Sequence, residues 1–489
     1  MIGIRRNRME KLIGREHECG ELSKALNSER SEFIVLYGRR RIGKTFLVRR
    51  FFEDRFDFHY VGAHKMKTEF QLRNFRKELI RFSGDVTLPE FSNWMEAFEH
   101  LENYLGKLDT GHRKVLFFDE MPWIDAKQSD FVAALEYFWN SWVASRDDIV
   151  LIACGSATSW MADKLIDNQG GLHNRITRQI YLRPFTLHEC KEYLENRKFD
   201  WDHRQIIQCY MILGGVPFYW SLLEPQLSLP QNVDRLFFRR DGALREEFDE
   251  LYNALFSNAN RYISVVRTLS AHRDGMTREE ISKASNLSGG NLTKVLRNLE
   301  RCDFISAYSQ FGSKTKNTIY RLCDFYTLFY FRFLHEERSY DDEFWTHHFQ
   351  SPQVVVWEGL TFELVCLAHL SQIKKALGIS GVGTKVSAWR YVPNKTSSDE
   401  LPEKGAQIDL LIVRADKMIN LCEIKFSDGK FTITKEYEEH LRERLMIFRQ
   451  VTRCNYGVLH TFITPQGVAN GIHYSIVNAE VTAESLLED

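Results

Sequence analysis

A chain of 489 residues with 44% hydrophobic content, 35 Phe and 10 Trp has the length for about three domains and enough apolar side chains to pack them, so disorder is not the default. The formal net charge of −1 gives no global pull toward nucleic acid or a membrane surface, so any such affinity must sit in local patches. Nine cysteines without a C-x-x-C pair exclude a standard zinc module and argue against a disulfide framework, and no apolar run reaches the length of a membrane span; a cytoplasmic protein with no membrane association is expected.

In chain order, Leu12 to Leu22 (LIGREHECGEL) places a Gly-Arg-Glu turn ahead of a short amphipathic helix. Phe33 to Val48 (FIVLYGRRRIGKTFLV) follows: an apolar strand, then Gly38, four residues, Gly43, Lys44 and Thr45, then a helix. This is the G-x-x-x-x-G-K-[ST] phosphate-binding loop, in the strand-loop-helix setting that its chemistry requires. Glycines let successive backbone N–H groups turn inward on a phosphate chain, and the helix that follows presents its positive end. The cradle is expected from Gly38, Arg39, Arg40, Arg41, Ile42, Gly43, Lys44, Thr45 and Phe46. Lys44 would reach the β- and γ-phosphates and the Thr45 hydroxyl would contact Mg²⁺. Arg39 to Arg41 admit two readings, contact with a neighbouring subunit of a homo-oligomer or exposure to solvent.

Lys114 to Asp125 (KVLFFDEMPWID) reads as a buried strand ending in Asp119 and Glu120. Carboxylates at the carboxyl end of a central parallel strand lie where ligands bind in open α/β sheets. Asp119 would hold Mg²⁺ and Glu120 would orient or deprotonate the attacking water. A further strand, Asp148 to Ser156, ends in small polar residues, of which Ser156 or Thr158 could touch the γ-phosphate region. Before the next strand stand Arg175 and Arg178, either of them solvated or serving as a finger on the transferring phosphate.

The set GRRRIGKT, FFDEMPWID, CGSATSWM, NRITRQIYLRPF and GGVPFYW resembles the AAA+-type ATPases of prokaryotes known as the archaeal ATPase family, close to the STAND signalling NTPases, over residues 10–335. The resemblance implies ATP as the nucleotide, Arg175 in preference to Arg178 as the finger, a segment near Leu12 to Leu22 packed beside the adenine, and a helical lid after the core. Residues 186–256 fit that lid, with Gly214-Gly215-Val216-Pro217 as a break between helices.

From Ser257 to Leu322 short helices alternate with polar joints. Thr277 with Glu280 forms a capping-box pattern, NLSGG makes a turn, and Asn291 to Cys302 reads as a third helix, followed by two strands around a Gly312-Ser313-Lys314 tip. Eleven Lys or Arg face five Asp or Glu here, inside a nearly neutral chain. A winged helix is expected, with Asn291, Thr293, Lys294, Arg297 and Asn298 on its exposed recognition face and Lys314 and Lys316 on the wing. DNA is the expected partner; a protein contact or a rigid spacer is the other reading.

An aromatic connector runs to residue 350. Beyond it a helix near Val354 to Leu370 carries Glu358 and Glu363, and GAQIDLLIVRADKMINLCEIKFSD reads as a hairpin with Asp409 at the start of one strand and Glu423-Ile424-Lys425 at the end of the next. Alternation sends Glu423 and Lys425 to one face with Ile424 behind. Two carboxylates could then hold Mg²⁺ with a lysine beside the attacking water. This resembles the PD-(D/E)XK nuclease superfamily, with Ile408 at the position of the proline; the resemblance adds Glu363 as the helix carboxylate. The Lys435 to Gln450 segment reads as a covering amphipathic helix.

The expected fold is thus α/β: a P-loop parallel-sheet ATPase core over residues 1–185, the lid over 186–256, the winged helix and connector over 257–350 and the nuclease-like domain over 351–489. Two functions remain open, an ATP-driven enzyme acting on DNA and a nucleotide-gated switch whose C-terminal domain binds nucleic acid without cutting it. A third, weaker one treats the chain as a protein-interaction machine.

Overall fold

The computed structural model describes residues 12–156, 158–167, 172, 174–312, 318–335, 341–393 and 402–489. The chain divides after Pro184 into two compact units.

In the first unit the apolar runs become strands β1 (Glu32–Tyr37), β2 (Phe58–Val61), β3 (Lys114–Asp119), β4 (Ile149–Gly155) and β5 (Arg178–Tyr181). All pair in parallel, in the order β2-β3-β4-β1-β5. A parallel sheet is covered on both faces, which is why β3 and β4 are buried along their whole length rather than alternating. On one face Phe33 and Phe118 pack with Trp94, Phe98, Phe131 and Phe138 from the helices Trp94–Lys107 and Phe131–Ser141. On the other, Ile34, Leu36 and Phe117 pack with Leu22, Leu47 and Val48. Because β4 lies between β1 and β3, the carboxyl ends of all three open side by side at one edge.

The second unit begins with a helical segment, Leu187–Asn196 and His203–Leu213 each opened by a capping box. The expected break at Gly214-Gly215 has a steric cause: Phe185 N donates to Gly215 O at 2.6 Å, and a Cβ on Gly215 would lie 1.9 Å from the Phe185 carbonyl oxygen. Pro217 then opens the next helix. Residues 259–322 fold as helices Ala259–Ser270, Arg278–Ser285 and Gly289–Arg301 with a three-stranded antiparallel sheet in the order β6 (Met276–Thr277), β8 (Thr318–Leu322), β7 (Ile305–Ser309). The Thr277 capping box is present. The third helix starts at Gly289, earlier than the spacing suggested. Lys314 and Lys316 lie outside the described residues.

The C-terminal sheet runs β13 (Ala479–Val481), β12 (Gly457–Ile463), β11 (Met418–Ile424), β10 (Ala406–Arg414), β9 (Thr384–Tyr391). The pairs β9–β10 and β10–β11 are antiparallel and the others parallel. Alternation along β10 sends Leu410 and Ile412 to the face that packs Phe362 of the helix Pro352–Ala368, and Leu411 to the face that packs Ile447 and Phe448 of the helix Lys435–Thr452. The three segments expected as separate domains share a single buried cluster that runs from Phe185 to Leu487, with the aromatic connector inside it through Phe329, Phe333 and Trp345, which pack against Trp357 of the helix Pro352–Ala368. Among the described residues no single helix is long and apolar enough to cross a membrane.

His369 ties this unit together: its Nδ1 donates to Val365 O at 2.8 Å and its Nε2 accepts from Leu187 N at 2.9 Å. Burial pushes its pKa down from 6.5 to about 4. Below the unfolded value the unfolded chain takes up a proton that the native ring refuses, so stability falls as pH drops from 6.5 toward 4, by up to about 3 kcal/mol. Urea unfolding of the second unit between about pH 7.5 and 4.5 is expected to show this slope, and a His369→Gln variant to show a shallower one.

Candidate functional site

At the end of β1 the chain turns sharply into the helix Lys44–Phe51. Gly38 must be glycine, since its φ is 150° and a Cβ would lie 2.4 Å from Leu182 O; Gly43, the helix N-cap, has φ 87°. Lys44 is buried, and its Nζ donates to Gly38 O at 3.1 Å and Arg39 O at 2.8 Å, holding the ammonium against the loop itself. Thr45 Oγ1 donates to Asp119 Oδ2 at 2.8 Å, joining the two predicted halves across β4. Burial raises the Asp119 pKa, the Glu120 charge adds to that, and the Thr45 hydroxyl and the Glu120 N–H oppose it. A buried carboxylate of this kind favours a cation beside it.

Glu120 occupies a left-handed conformation, φ 48° and ψ 47°, at the start of the short helix Met121–Ile124. Its side chain is held by the end of β4: Ser156 Oγ donates to Oε1 at 2.8 Å and Ser156 N to Oε2 at 3.4 Å. The turn beneath is braced by Gln71, fully buried, whose Nε2 donates to Ala63 O at 2.6 Å and Trp123 O at 2.9 Å while its Oε1 accepts from Tyr60 at 2.8 Å. The one signal in the helix pattern of residues 68–83 that sets Gln71 apart from a surface glutamine is its place on the buried stripe with Phe75 and Leu79.

The other loop residues take different places. Arg39 and Ile42 are buried, so of the three arginines only Arg40 and Arg41 are partly open to solvent. Phe46 lies under the Arg50 guanidinium at 5.0 Å. Arg175 is exposed in the turn before β5, whereas Arg178 is committed to structure, 2.8 Å from Glu21 and 3.6 Å from the buried Glu32. Thr158 opens the short helix Thr158–Met161. Thr45 and Asp119, a hydroxyl and one carboxylate, suit Mg²⁺, which keeps waters and takes its remaining ligands from substrate phosphates.

In the second unit the register pairs Leu410 with Cys422, which sets Asp409 and Glu423 at neighbouring positions of the hairpin, Asp409 lying at a bulge in β10 rather than at its start. The expected metal carboxylates nonetheless turn to arginines. Glu363 accepts from Arg273 and stands 3.5 Å from Arg321, and Asp409 lies 4.0 Å from Arg273 and accepts from Gln407 at 2.8 Å. Glu423 accepts from Arg444 and Tyr437, with Lys425 Nζ at 3.3 Å. Burial, helped by the Asp409 charge, pushes Glu363 up to about 7 against the two arginines. Burial would also raise Glu423, but Arg444 and Lys425 hold it below the usual carboxylate range. Among the described residues no three His, Cys, Asp or Glu side chains gather around one metal position, and Glu363, Asp409 and Glu423 as arranged face arginines instead. Guanidiniums from two other segments fill that role, which no local spacing could announce. Lys435 is exposed beside Glu439.

On the surface expected for recognition, Asn291, Thr293, Lys294 and Arg297 are exposed but Asn298 is not. Its Nδ2 donates to Tyr262 Oη at 2.9 Å inside the helical packing, because position 298 follows Leu292, Val295 and Leu299 on the buried stripe.

A parallel sheet with a phosphate-binding loop on one strand and an Asp-Glu pair on another is a P-loop nucleotide-binding core. Residues 12–223 match the family model of an ATPase domain predominantly from Archaea, and this part of the chain is a domain of that kind. Over 445 residues the chain is 24% identical to an uncharacterized protein of Methanocaldococcus jannaschii, covering 89% of this chain and 92% of that one. An uncharacterized ATP-binding protein of the same organism is 40% identical over 43 residues, 9% of this chain and 73% of that one. Among solved structures, a Walker-type ATPase of Pyrococcus abyssi aligns with a TM-score of 0.46 at 18% identity, covering 66% of this chain and 96% of that one. The Aeropyrum pernix ORC2 protein aligns with a TM-score of 0.41 at 16% identity, covering 66% and 93%.

Proposed function

We propose that the chain is an AAA+-type ATPase that binds and hydrolyses ATP and acts on DNA through a winged helix at residues 257–322. The observation that carries the hydrolytic reading is the chain of contacts from Thr45 to Asp119 and from Ser156 to Glu120, three strand ends meeting at one phosphate loop. The triphosphate lies along the loop N–H groups at the positive end of the helix Lys44–Phe51, and Lys44 exchanges its two carbonyl partners for phosphate oxygens. Thr45 and Asp119 would hold Mg²⁺, which when bound neutralises phosphate charge. Glu120, oriented by Ser156, lines up the attacking water and accepts its proton.

The DNA reading is supported by the basic excess of residues 257–322 and by the exposed Lys294 and Arg297 on the helix Gly289–Arg301. Arginines on all three C-terminal carboxylates favour a C-terminal domain that holds nucleic acid without cutting it over an active nuclease of the PD-(D/E)XK type. Labelled duplex and single-stranded DNA with Mg²⁺ and ATP test both points. Binding is expected to weaken steeply with salt and by roughly tenfold in the double variant Lys294→Glu/Arg297→Glu, with the strands left intact. Binding that ignores both salt and the variant removes the DNA reading; Mg²⁺-dependent cleavage lost in Glu423→Ala restores the nuclease.

A further inference from the structure

Within the second unit, the end of the helix Ala259–Ser270, β8, the π-helical segment Tyr330–Leu334 and the helix Pro352–Ala368 line an open cavity of about 920 Å³. Four arginines line it, Arg267, Arg273, Arg321 and Arg332, and among the described residues no carboxylate does. Among the described residues their charge is only partly balanced. Arg273 and Arg321 share one carboxylate, Glu363, and Arg273 has Asp409 at 4.0 Å. Among the described residues Arg267 and Arg332 form no ion pair. The remaining wall combines aliphatic side chains such as Leu269 and Leu360 with the aromatic rings of Phe331, Phe333, Phe344 and Trp357.

This combination selects a ligand class. Several arginines around one space match the oxygens of phosphate groups, which they meet in a planar, two-pronged geometry. Aromatic walls match the face of a base, and stacking of this kind tolerates any base. The volume lies in the range of ligand cavities and exceeds what a lone inorganic anion requires. We propose that the cavity binds a nucleotide unit, its phosphate on the arginines and its base against the aromatic side, supplied either as a free nucleotide or as part of a single nucleic-acid strand. The site shares no residue with the phosphate loop or with the Lys294 and Arg297 surface, but Arg267, Arg273 and Arg321 belong to the basic segment 257–322, so the proposal deepens the nucleic-acid reading while its variants differ from those that test it. Glu363 takes part as a competitor: a bound phosphate and this carboxylate draw on the same two guanidiniums, Arg273 and Arg321.

The test uses the full chain carrying Lys44→Ala, so that the phosphate loop does not report, titrated calorimetrically at low salt with adenosine monophosphate and with a four-nucleotide single-stranded DNA. At least one probe is expected to bind. Saturation by the mononucleotide assigns the site to free nucleotides, and binding of the oligonucleotide alone assigns it to a strand. Arg267→Glu/Arg332→Glu is expected to weaken binding by about tenfold or more, since both charges are reversed at a phosphate site. Glu363→Gln, which removes the competitor, is expected to tighten it several-fold; a variant that merely disturbed the packing would weaken it. No binding of either probe at millimolar concentration, or equal binding by the parent and the double arginine variant, overturns the proposal.

Discussion

Lys44→Ala is expected to abolish ATP binding at the phosphate loop. The ammonium is buried and donates to Gly38 O and Arg39 O, both of them backbone carbonyls of the same loop that a triphosphate would replace. Removing one partner of a buried, charge-assisted contact costs about 2–5 kcal/mol, or roughly thirtyfold to several thousandfold in affinity. Fluorescent nucleotide titration of parent and variant checks it, and thermal unfolding of both separates loss of the ligand contact from loss of the loop. An affinity within a factor of about three of the parent would mean that the loop N–H groups suffice.

Glu120→Gln is expected to behave differently, with binding retained and turnover lowered by about 10² to 10⁴. The amide keeps the size of the carboxylate and can still accept from Ser156 Oγ, which is 2.8 Å from Oε1, so the site should hold its shape. What is lost is the capacity to take a proton from water. Phosphate release under saturating ATP, read beside the binding titration, distinguishes the two variants. Parental turnover in Glu120→Gln removes Glu120 from the catalytic role and leaves it as a turn residue whose left-handed backbone at φ 48° shapes the mouth of the site.

These two residues also mark what is readable in one dimension. The phosphate loop is a contiguous device: strand, two glycines at fixed spacing, lysine, hydroxyl and helix all act within the run from Glu32 to Phe51, so sequence reading found it complete. The apolar run ending in Asp119 and Glu120 was legible for the same reason. The Thr277 capping box and the Gly214-Gly215 break are likewise local, although the reason for the second, a backbone carbonyl of Phe185 where a Cβ would be, is not.

Side chains whose partner lies far along the chain were read less well. Asn298 has the composition of a recognition residue and the position of a core residue, and only the packing of Tyr262 decides between them. Glu363, Asp409 and Glu423 have the identities of metal ligands, but Arg273 and Arg321 arrive from a segment about 40 to 90 residues upstream of Glu363, and Arg444 from the helix that was read only as a cover. A carboxylate is satisfied by whichever cation the fold delivers, and spacing along the chain does not record that choice.

The sequence by itself determined the phosphate loop, the acidic strand end and the α/β class, because each follows from short-range geometry: the turn a glycine permits, the period of a buried strand, the positive end of a helix. Only the tertiary structure decided that β4 separates β1 from β3 so that Thr45 meets Asp119 and Ser156 holds Glu120, and that arginines occupy the C-terminal carboxylates beside a basic, aromatic-walled cavity. Strand order and long-range charge pairing are set by which distant surfaces pack together, a property of the whole chain that no single stretch of it carries.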